Sequence, residues 1–139
     1  MGVLSNLFIA TDEDVRGSDA PPFERFPYLD IKGMTEIERA TLNAQIRDLE
    51  FEDALDDFEG FHAIDETEGP WVLKLTDALV QALANLSDSS LDAHASEWAT
   101  SEELEDWDVA DVRERLEGIV SLAREAVTKY KSVFLWNSL

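Results

Sequence analysis

Residues 94–108, HASEWATSEELEDWD, carry the side chains of this chain that are best suited to chemistry. They include one of the two histidines, two of the four tryptophans and six carboxylates, with no lysine or arginine. His94 and Glu97 are three residues apart, so a helix would place them on one face, where an imidazole and a carboxylate can ligate a metal ion. The stretch allows three interpretations: a metal site, an acidic surface for a basic partner, or a joint between two helices.

A metal ion held by His94 and Glu97 would need further ligands, which nearby carboxylates could supply. Candidates are Asp88, Asp92, Glu102, Glu103, Glu105 and Asp106. Hard cations such as Mg²⁺ and Mn²⁺ accept carboxylate ligands, although carboxylate-bridged dimetal bundles use Glu-x-x-His, the reverse of the order found here. His94 also shares a helix face with Leu91 and Trp98, which favours a histidine half-buried against the core. His94 and Glu97 are therefore the candidates of a secondary, metal-binding hypothesis, and no cofactor is predicted.

The partner-binding interpretation rests on the two tryptophans that flank the acidic turn. An aromatic ring beside carboxylates can stack on an incoming arginine or lysine, and tryptophan is frequent at interface hot spots. The alternative is that both rings only pack one helix against the next. The predicted partner-binding residues are Trp98, Glu102, Glu103, Glu105, Asp106 and Trp107.

Known catalytic motifs are absent from the sequence. There is no Gly-x-Gly-x-x-Gly, no phosphate loop and no serine nucleophile elbow. The acids of residues 50–59 lack the glycine and the closing glutamate of a calcium loop, which favours a solvated helix face. The absence of cysteine excludes disulfides, thiol catalysis and cysteine-ligated zinc. We predict no catalytic residue, and a non-enzymatic protein is favoured.

The negative charge is concentrated in the middle of the chain. The whole sequence has 31 acidic and 11 basic residues, a net charge of −20. Residues 48–112, here called the acidic tract, contain twenty Asp and Glu and one base, Lys74, whereas the other 74 residues contain eleven acids and ten bases. A general solubility surplus would spread acids evenly, whereas a surface for a basic partner concentrates them. The basic last helix could still neutralise part of the tract in space.

This charge map ranks the functional classes. A strongly anionic surface repels phosphate, so direct nucleic-acid binding is disfavoured. The first hypothesis is an interaction or regulatory protein that presents acids to a basic protein, as immunity proteins, inhibitors and DNA mimics do. The alternatives are a metal-dependent enzyme or metal-binding domain centred on His94 and Glu97, and a small-ligand binder with an apolar cleft near Trp98 and Trp107. Formation of a homodimer is left open.

Periodicity and capping residues predict four to six helices. The predicted helices span residues 35–50, 51–58, 70–86, 90–99 and 109–130, with a further turn near residue 100 and a short helix after Thr11. Asp108 and Asp111 are expected to cap the last long helix, and Ser87–Ser90 offer caps for the helix before it. Short strands are expected at residues 3–9, 28–32 and 61–65.

The two ends of the chain are expected to be buried and paired as strands. The segments VLSNLFI and SVFLWNSL are too apolar to be left in water and too short to be stable alone. The predicted fold is therefore α+β, predominantly helical, with a small sheet formed by the N- and C-terminal segments. We expect residues 1–139 to form one domain, and without a leader or membrane-spanning segment we expect a cytoplasmic protein.

Three segments carry a resemblance to other proteins. EGPWVLKLTDALVQALANLSD, EWATSEEL and KSVFLWNSL, with a weaker N-terminal FIA, resemble a group of small, acidic, uncharacterised bacterial proteins. The resemblance covers most of residues 68–139. It implies a stand-alone bacterial cytoplasmic domain and transfers no functional residue.

Overall fold

The computed structural model describes residues 4–16, 28–30, 36–55, 57–63, 71–101, 104 and 107–138. Within these residues the elements are β1 (Leu4–Ala10), α1 (Asp12–Arg16), β2 (Tyr28–Asp30), α2 (Glu36–Arg47), α3 (Phe51–Leu55), β3 (Phe58–Ala63), β4 (Trp71–Leu75), α4 (Asp77–Ala84), α5 (Asp88–Trp98), α6 (Val109–Thr128) and β5 (Ser132–Ser138). The predicted α+β fold with a small sheet is confirmed.

The two chain termini form the centre of an antiparallel sheet. The strand order is β2-β1-β5-β4-β3, and β1 pairs with β5 along its whole length, from Leu4 opposite Ser138 to Ala10 opposite Ser132. The expected pairing of the ends is therefore confirmed. The sheet also uses three internal strands, of which β2 lies on one edge and β3 on the other.

The alternation of side chains along the central strands creates two apolar clusters. Leu7 and Ile9 of β1 pack with the helices in the main core, whereas Phe8 and Ala10 point to a smaller cluster on the opposite face. In that smaller cluster the ring of Phe8 stacks on Phe134 of β5 at a centroid distance of 5.4 Å. Both faces of β1 and β5 are covered by apolar groups, so the residues on both faces are apolar. This explains why the two terminal segments are continuous apolar runs in the sequence.

The long helix α6 forms the spine of the main core. Its buried face carries residues at helical spacing: Val112, Leu116, Ile119, Val120, Leu122, Ala123 and Ala126. This face packs against α4 and α5. Asp108 occupies the N-cap position of α6, but contrary to expectation its side chain makes no capping hydrogen bond. Ser87 does cap α5, because its hydroxyl accepts a hydrogen bond from the Ser90 amide at 3.2 Å.

The predicted helix over residues 70–86 is wrong in its first part. Residues 71–75 form strand β4, which pairs with both β3 and β5, and the helix α4 begins only after Thr76. The spacing of Val72, Leu75 and Leu79 suits a helix, but Val72 and Leu75 are buried on opposite faces of the sheet. The local apolar pattern is compatible with a helix or a strand, and the hydrogen bonds to strands on both sides of β4 decide for the strand.

A buried polar cluster connects α2 to α3 and to the start of α4. Arg39 is 1% exposed and donates hydrogen bonds to the carbonyl oxygens of Leu55 at 3.0 Å, Asp57 at 3.3 Å and Ala54 at 3.4 Å. Asn43, also buried, donates to the Asp57 carboxylate at 3.0 Å. The bonds from Arg39 satisfy carbonyl groups at the C-terminal end of α3, where helix geometry leaves carbonyls without partners inside the helix.

The Asp57 carboxylate is the acceptor that unites this cluster. Besides Asn43, it accepts hydrogen bonds from Arg47 and from the Thr76 hydroxyl, which is 3.0 Å away. The hydroxyl of Thr76 also accepts from the Leu79 amide and caps α4. The prediction of a solvated acidic face at residues 50–59 is therefore wrong for Asp57, although Glu50, Glu52 and Asp53 are exposed.

Tyr130 adopts a backbone conformation that favours glycine. Its φ is +56°, and the Lys131 amide donates to the Ala126 carbonyl at 2.9 Å, which is the hydrogen bond of a Schellman turn at the end of α6. The side chain is 95% exposed, so it gains little from packing.

We expect Tyr130→Gly to raise the free energy of unfolding by about 1 kcal/mol, because glycine adopts this conformation without steric cost. Urea denaturation measures the change. Tyr130→Ala retains the Cβ atom and serves as the control, so an equal gain for alanine and glycine would contradict the explanation.

Among the described helices, none is both long enough and apolar enough to cross a membrane. The single-domain organisation stays a prediction.

Candidate partner-binding groove

An open groove of about 740 Å³ runs along the N-terminal half of α6. Its lining combines charged, aromatic and apolar side chains: Leu29, Trp107, Asp111, Glu114, Arg115, Glu117, Gly118 and Ser121. We call this feature the α6 groove. It is the place where the end of the acidic tract meets the edge strand β2.

The apolar side of the α6 groove depends on a glycine in α6. A Cβ atom added to Gly118 would lie 3.2 Å from the Cδ2 atom of Leu29, which is closer than such atoms normally approach. Glycine therefore lets the short strand β2 lie close to the helix. Leu29 also packs against the main core, so this wall of the groove is continuous with the folded interior.

Trp107 and Arg115 interact within the groove. The guanidinium carbon of Arg115 lies 4.4 Å from the centroid of the Trp107 ring, a cation–π arrangement. Trp107 is half-buried and packs against the main core. One of the two tryptophans predicted to bind a partner thus borders a groove, but a cation from the same chain lies over its ring.

Asp111 and Glu114 are exposed and have no ion-pair partner in the part of the chain that the structure describes. Arg115 follows Asp111 by four residues, a spacing at which a helix commonly forms an ion pair. Here the guanidinium lies over Trp107 instead. Two carboxylates of the groove therefore keep their hydrogen-bonding capacity for another group.

A second arginine of α6 connects α5 to α6 beside the groove. Arg113 donates to the carboxylate of Asp92 on α5 and to that of Glu117 at 2.6 Å. The hydrogen bond to Asp92 contributes most to raising the pKa of Arg113 above its ordinary value, and the bond to Glu117 adds to it. Arg113 therefore links one acid of α5 and one acid of α6 in a single ion-pair network.

Trp98, the other predicted partner-binding tryptophan, lies in the main core. Its side chain is 1% exposed, and its indole nitrogen has no hydrogen-bond partner. Trp98 does not line the α6 groove, whereas Trp107 does. The small-ligand hypothesis of an apolar cleft near both rings stays a prediction. The buried position of Trp98 agrees with the alternative interpretation, in which its ring packs one helix against the next.

His94 and Glu97 are differently placed on α5. His94 is half-buried with its Nδ1 atom enclosed, and its backbone carbonyl accepts a hydrogen bond from Gln45 at 2.7 Å, whereas Glu97 is exposed. No three histidine, aspartate or glutamate side chains come together as metal ligands within the described ranges. The metal hypothesis therefore gains no further ligand from the described residues.

The four predicted carboxylates of the turn, Glu102, Glu103, Glu105 and Asp106, lie outside the described residues. Around them, Leu104 is buried and its amide donates to the Ser101 carbonyl at 3.1 Å, while the Trp107 amide donates to the Leu104 carbonyl at 3.0 Å. Leu104 thus anchors the turn to the core. The role of the four acids stays a prediction.

No sequence-based signal pointed to Asp111, Glu114 or Arg115 as site residues. The sequence predicts Asp111 as a capping residue and as the last acid of the acidic tract, and the three become a group because Trp107 and β2 lie beside them. The sequence spacing of these three residues indicates that they share one face of α6. It does not indicate that Trp107 and β2 lie beside that face.

Comparison with known proteins adds no family: no family model, curated protein or solved structure matches this chain. The fold and the groove therefore define only a class, a predominantly helical α+β protein with an acidic groove beside a five-stranded antiparallel sheet.

Proposed function

We propose that this protein is a non-enzymatic interaction or regulatory protein that presents the surface of its acidic tract to a basic protein. Immunity proteins, inhibitors of basic enzymes and DNA mimics are the functional types that fit. The proposal rests on charge localisation in the sequence and on the way the protein uses its few basic side chains.

The observation that carries the proposal is that most exposed acids of the tract have no ion-pair partner among the residues that the structure describes. Arg113 pairs with Asp92 of the tract, but Arg124 donates to the backbone carbonyls of Ala84 and Leu86. Lys129 pairs with Glu125 of its own helix. The exposed tract acids without an ion pair in the described residues are Asp48, Glu50, Glu52, Asp53, Asp77, Asp88, Glu97, Asp108 and Asp111.

Such a surface attracts a basic protein over a distance and orients it. Complementary charge accelerates association and disfavours acidic competitors, and its effect decreases as salt screens the field. Binding by this mechanism therefore predicts both a basic partner and a steep dependence on ionic strength.

An affinity capture from the native host, read by mass spectrometry, tests the proposal. We expect the wild-type protein to retain basic proteins that elute between about 0.1 and 0.5 M salt. The variant Glu102→Gln, Glu103→Gln, Glu105→Gln and Asp106→Asn is expected to lose them.

The matched control neutralises four acids outside the tract, namely Glu13, Asp14, Asp19 and Glu24, with the same change in net charge. Equal recovery by the wild type and the turn variant would contradict a role for the turn. The proposed function itself would be contradicted if the wild type recovered no basic protein whose binding depends on the acids of the tract.

A further inference from the structure

The α6 groove has the charge and the shape to receive a side chain of the partner. Its lining carries three carboxylates, those of Asp111, Glu114 and Glu117, against one guanidinium, that of Arg115. Glu117 is paired with Arg113, which leaves the carboxylates of Asp111 and Glu114 unpaired in a groove that the Trp107 ring also lines. Carboxylates for forked hydrogen bonds and a ring for stacking are the groups that recognise a guanidinium.

We propose that the α6 groove binds an arginine side chain of the basic partner, and that Arg115 occupies the Trp107 ring until that arginine replaces it. This inference rests on the proposed function and names the place and chemistry of the contact. The incoming guanidinium hydrogen-bonds to Asp111 and Glu114 and stacks on Trp107.

Charge complementarity selects this occupant over an apolar or acidic one. Leu29 and Gly118 supply an apolar part of the lining for the methylene stem, and the carboxylates of the same lining attract the cationic end. Arginine is favoured over lysine, because a planar guanidinium both stacks and forms forked hydrogen bonds, whereas a compact ammonium group does neither as well. Arg115 already demonstrates within the chain that a guanidinium fits against this ring.

The role of Arg115 gives the proposal an unusual consequence. Its removal frees the ring and takes one positive charge out of the groove, so the affinity for a basic peptide should rise. A purely structural role for Arg115 predicts no gain. Lys129 offers a matched control, since it is the C-cap of α6 and lies about 20 Å further along the helix axis, beyond the screening length at physiological salt.

Fluorescence anisotropy with labelled hexa-arginine and hexa-lysine at 0.15 M salt tests the inference. We expect wild-type protein to bind hexa-arginine more tightly than hexa-lysine, and Asp111→Asn with Glu114→Gln to weaken hexa-arginine binding about tenfold. The control pair Asp77→Asn with Glu52→Gln makes the same charge change at two exposed acids that do not line the groove, and should weaken binding about twofold. Arg115→Gln should strengthen binding about threefold, and Lys129→Gln should leave it within experimental error.

The outcomes separate this inference from the proposed function. Suppose that the wild type binds hexa-arginine and that Asp111→Asn with Glu114→Gln weakens this binding no more than Asp77→Asn with Glu52→Gln does. The groove is then not the binding site, although the acidic surface still binds basic chains. If Arg115→Gln, folded by circular dichroism, binds no more tightly than Lys129→Gln, Arg115 does not compete for the ring. Equal binding of hexa-arginine and hexa-lysine also overturns the arginine site. Absence of any peptide binding to the wild type counts against both proposals.

Discussion

Replacing Arg39 with methionine is expected to lower the free energy of unfolding by about 3 kcal/mol or more. The guanidinium is 1% exposed and donates to the carbonyl oxygens of Ala54, Leu55 and Asp57. Methionine approximates the volume of the stem but donates nothing, so one buried and two part-buried carbonyls lose a charge-assisted hydrogen bond at a site that water reaches only in part. Equilibrium urea denaturation provides the measurement.

Arg113→Met is the control for this prediction, since it removes an arginine that is exposed and ion-paired at the surface. We expect its effect on stability to be much smaller, because solvent and salt weaken surface pairs. Hydrogen exchange adds a second readout: the amides of α3 should lose protection in Arg39→Met and keep it in Arg113→Met. Similar losses of stability in the two variants would contradict the role assigned to Arg39.

The second large effect is expected at Trp98. Trp98→Ala should lower the free energy of unfolding by about 3–5 kcal/mol, because it opens a large cavity in the main core between α5 and α6. Trp98→Phe should cost much less, about 1–2 kcal/mol, since the ring is largely retained and the indole nitrogen has no hydrogen bond to lose.

The phenylalanine variant also tests the predicted partner-binding role of Trp98. A buried ring contributes to a surface only by supporting it, so Trp98→Phe should bind hexa-arginine with the wild-type affinity. A replacement that removes the aromatic ring from the groove, Trp107→Leu, should weaken that binding about threefold. Weaker binding by a folded Trp98→Phe than by Trp107→Leu would instead place Trp98 at the interface.

These predictions connect the fold to the proposed function. Arg39 and Asn43 hold α3 against α2, and Asp57 extends the same cluster to the cap of α4, so the exposed acids of α3 and α4 are carried on fixed elements. A rigid array of carboxylates loses little conformational entropy when it binds, which favours affinity and selectivity for one basic surface.

The sequence by itself determined the features that depend on local composition and periodicity. The apolar ends predicted a pair of buried strands, and the spacing along residues 109–130 predicted α6. The concentration of acids in residues 48–112 followed from counting alone. These inferences succeed because a long amphipathic helix and a central strand each bury a face that the sequence makes visible.

Only the tertiary structure decided the features that depend on partners distant in sequence. Residues 71–75 become a strand because β3 and β5 supply hydrogen bonds on both sides, although their apolar spacing also suits a helix. Asp57 resembles its acidic neighbours in sequence, but its carboxylate accepts hydrogen bonds from two side chains of α2 and from the residue that caps α4. Trp98 and Trp107 flank the same turn, and one is buried while the other borders a groove. Each of these arrangements is stabilised by groups that are distant in the sequence. A local sequence pattern therefore cannot predict them.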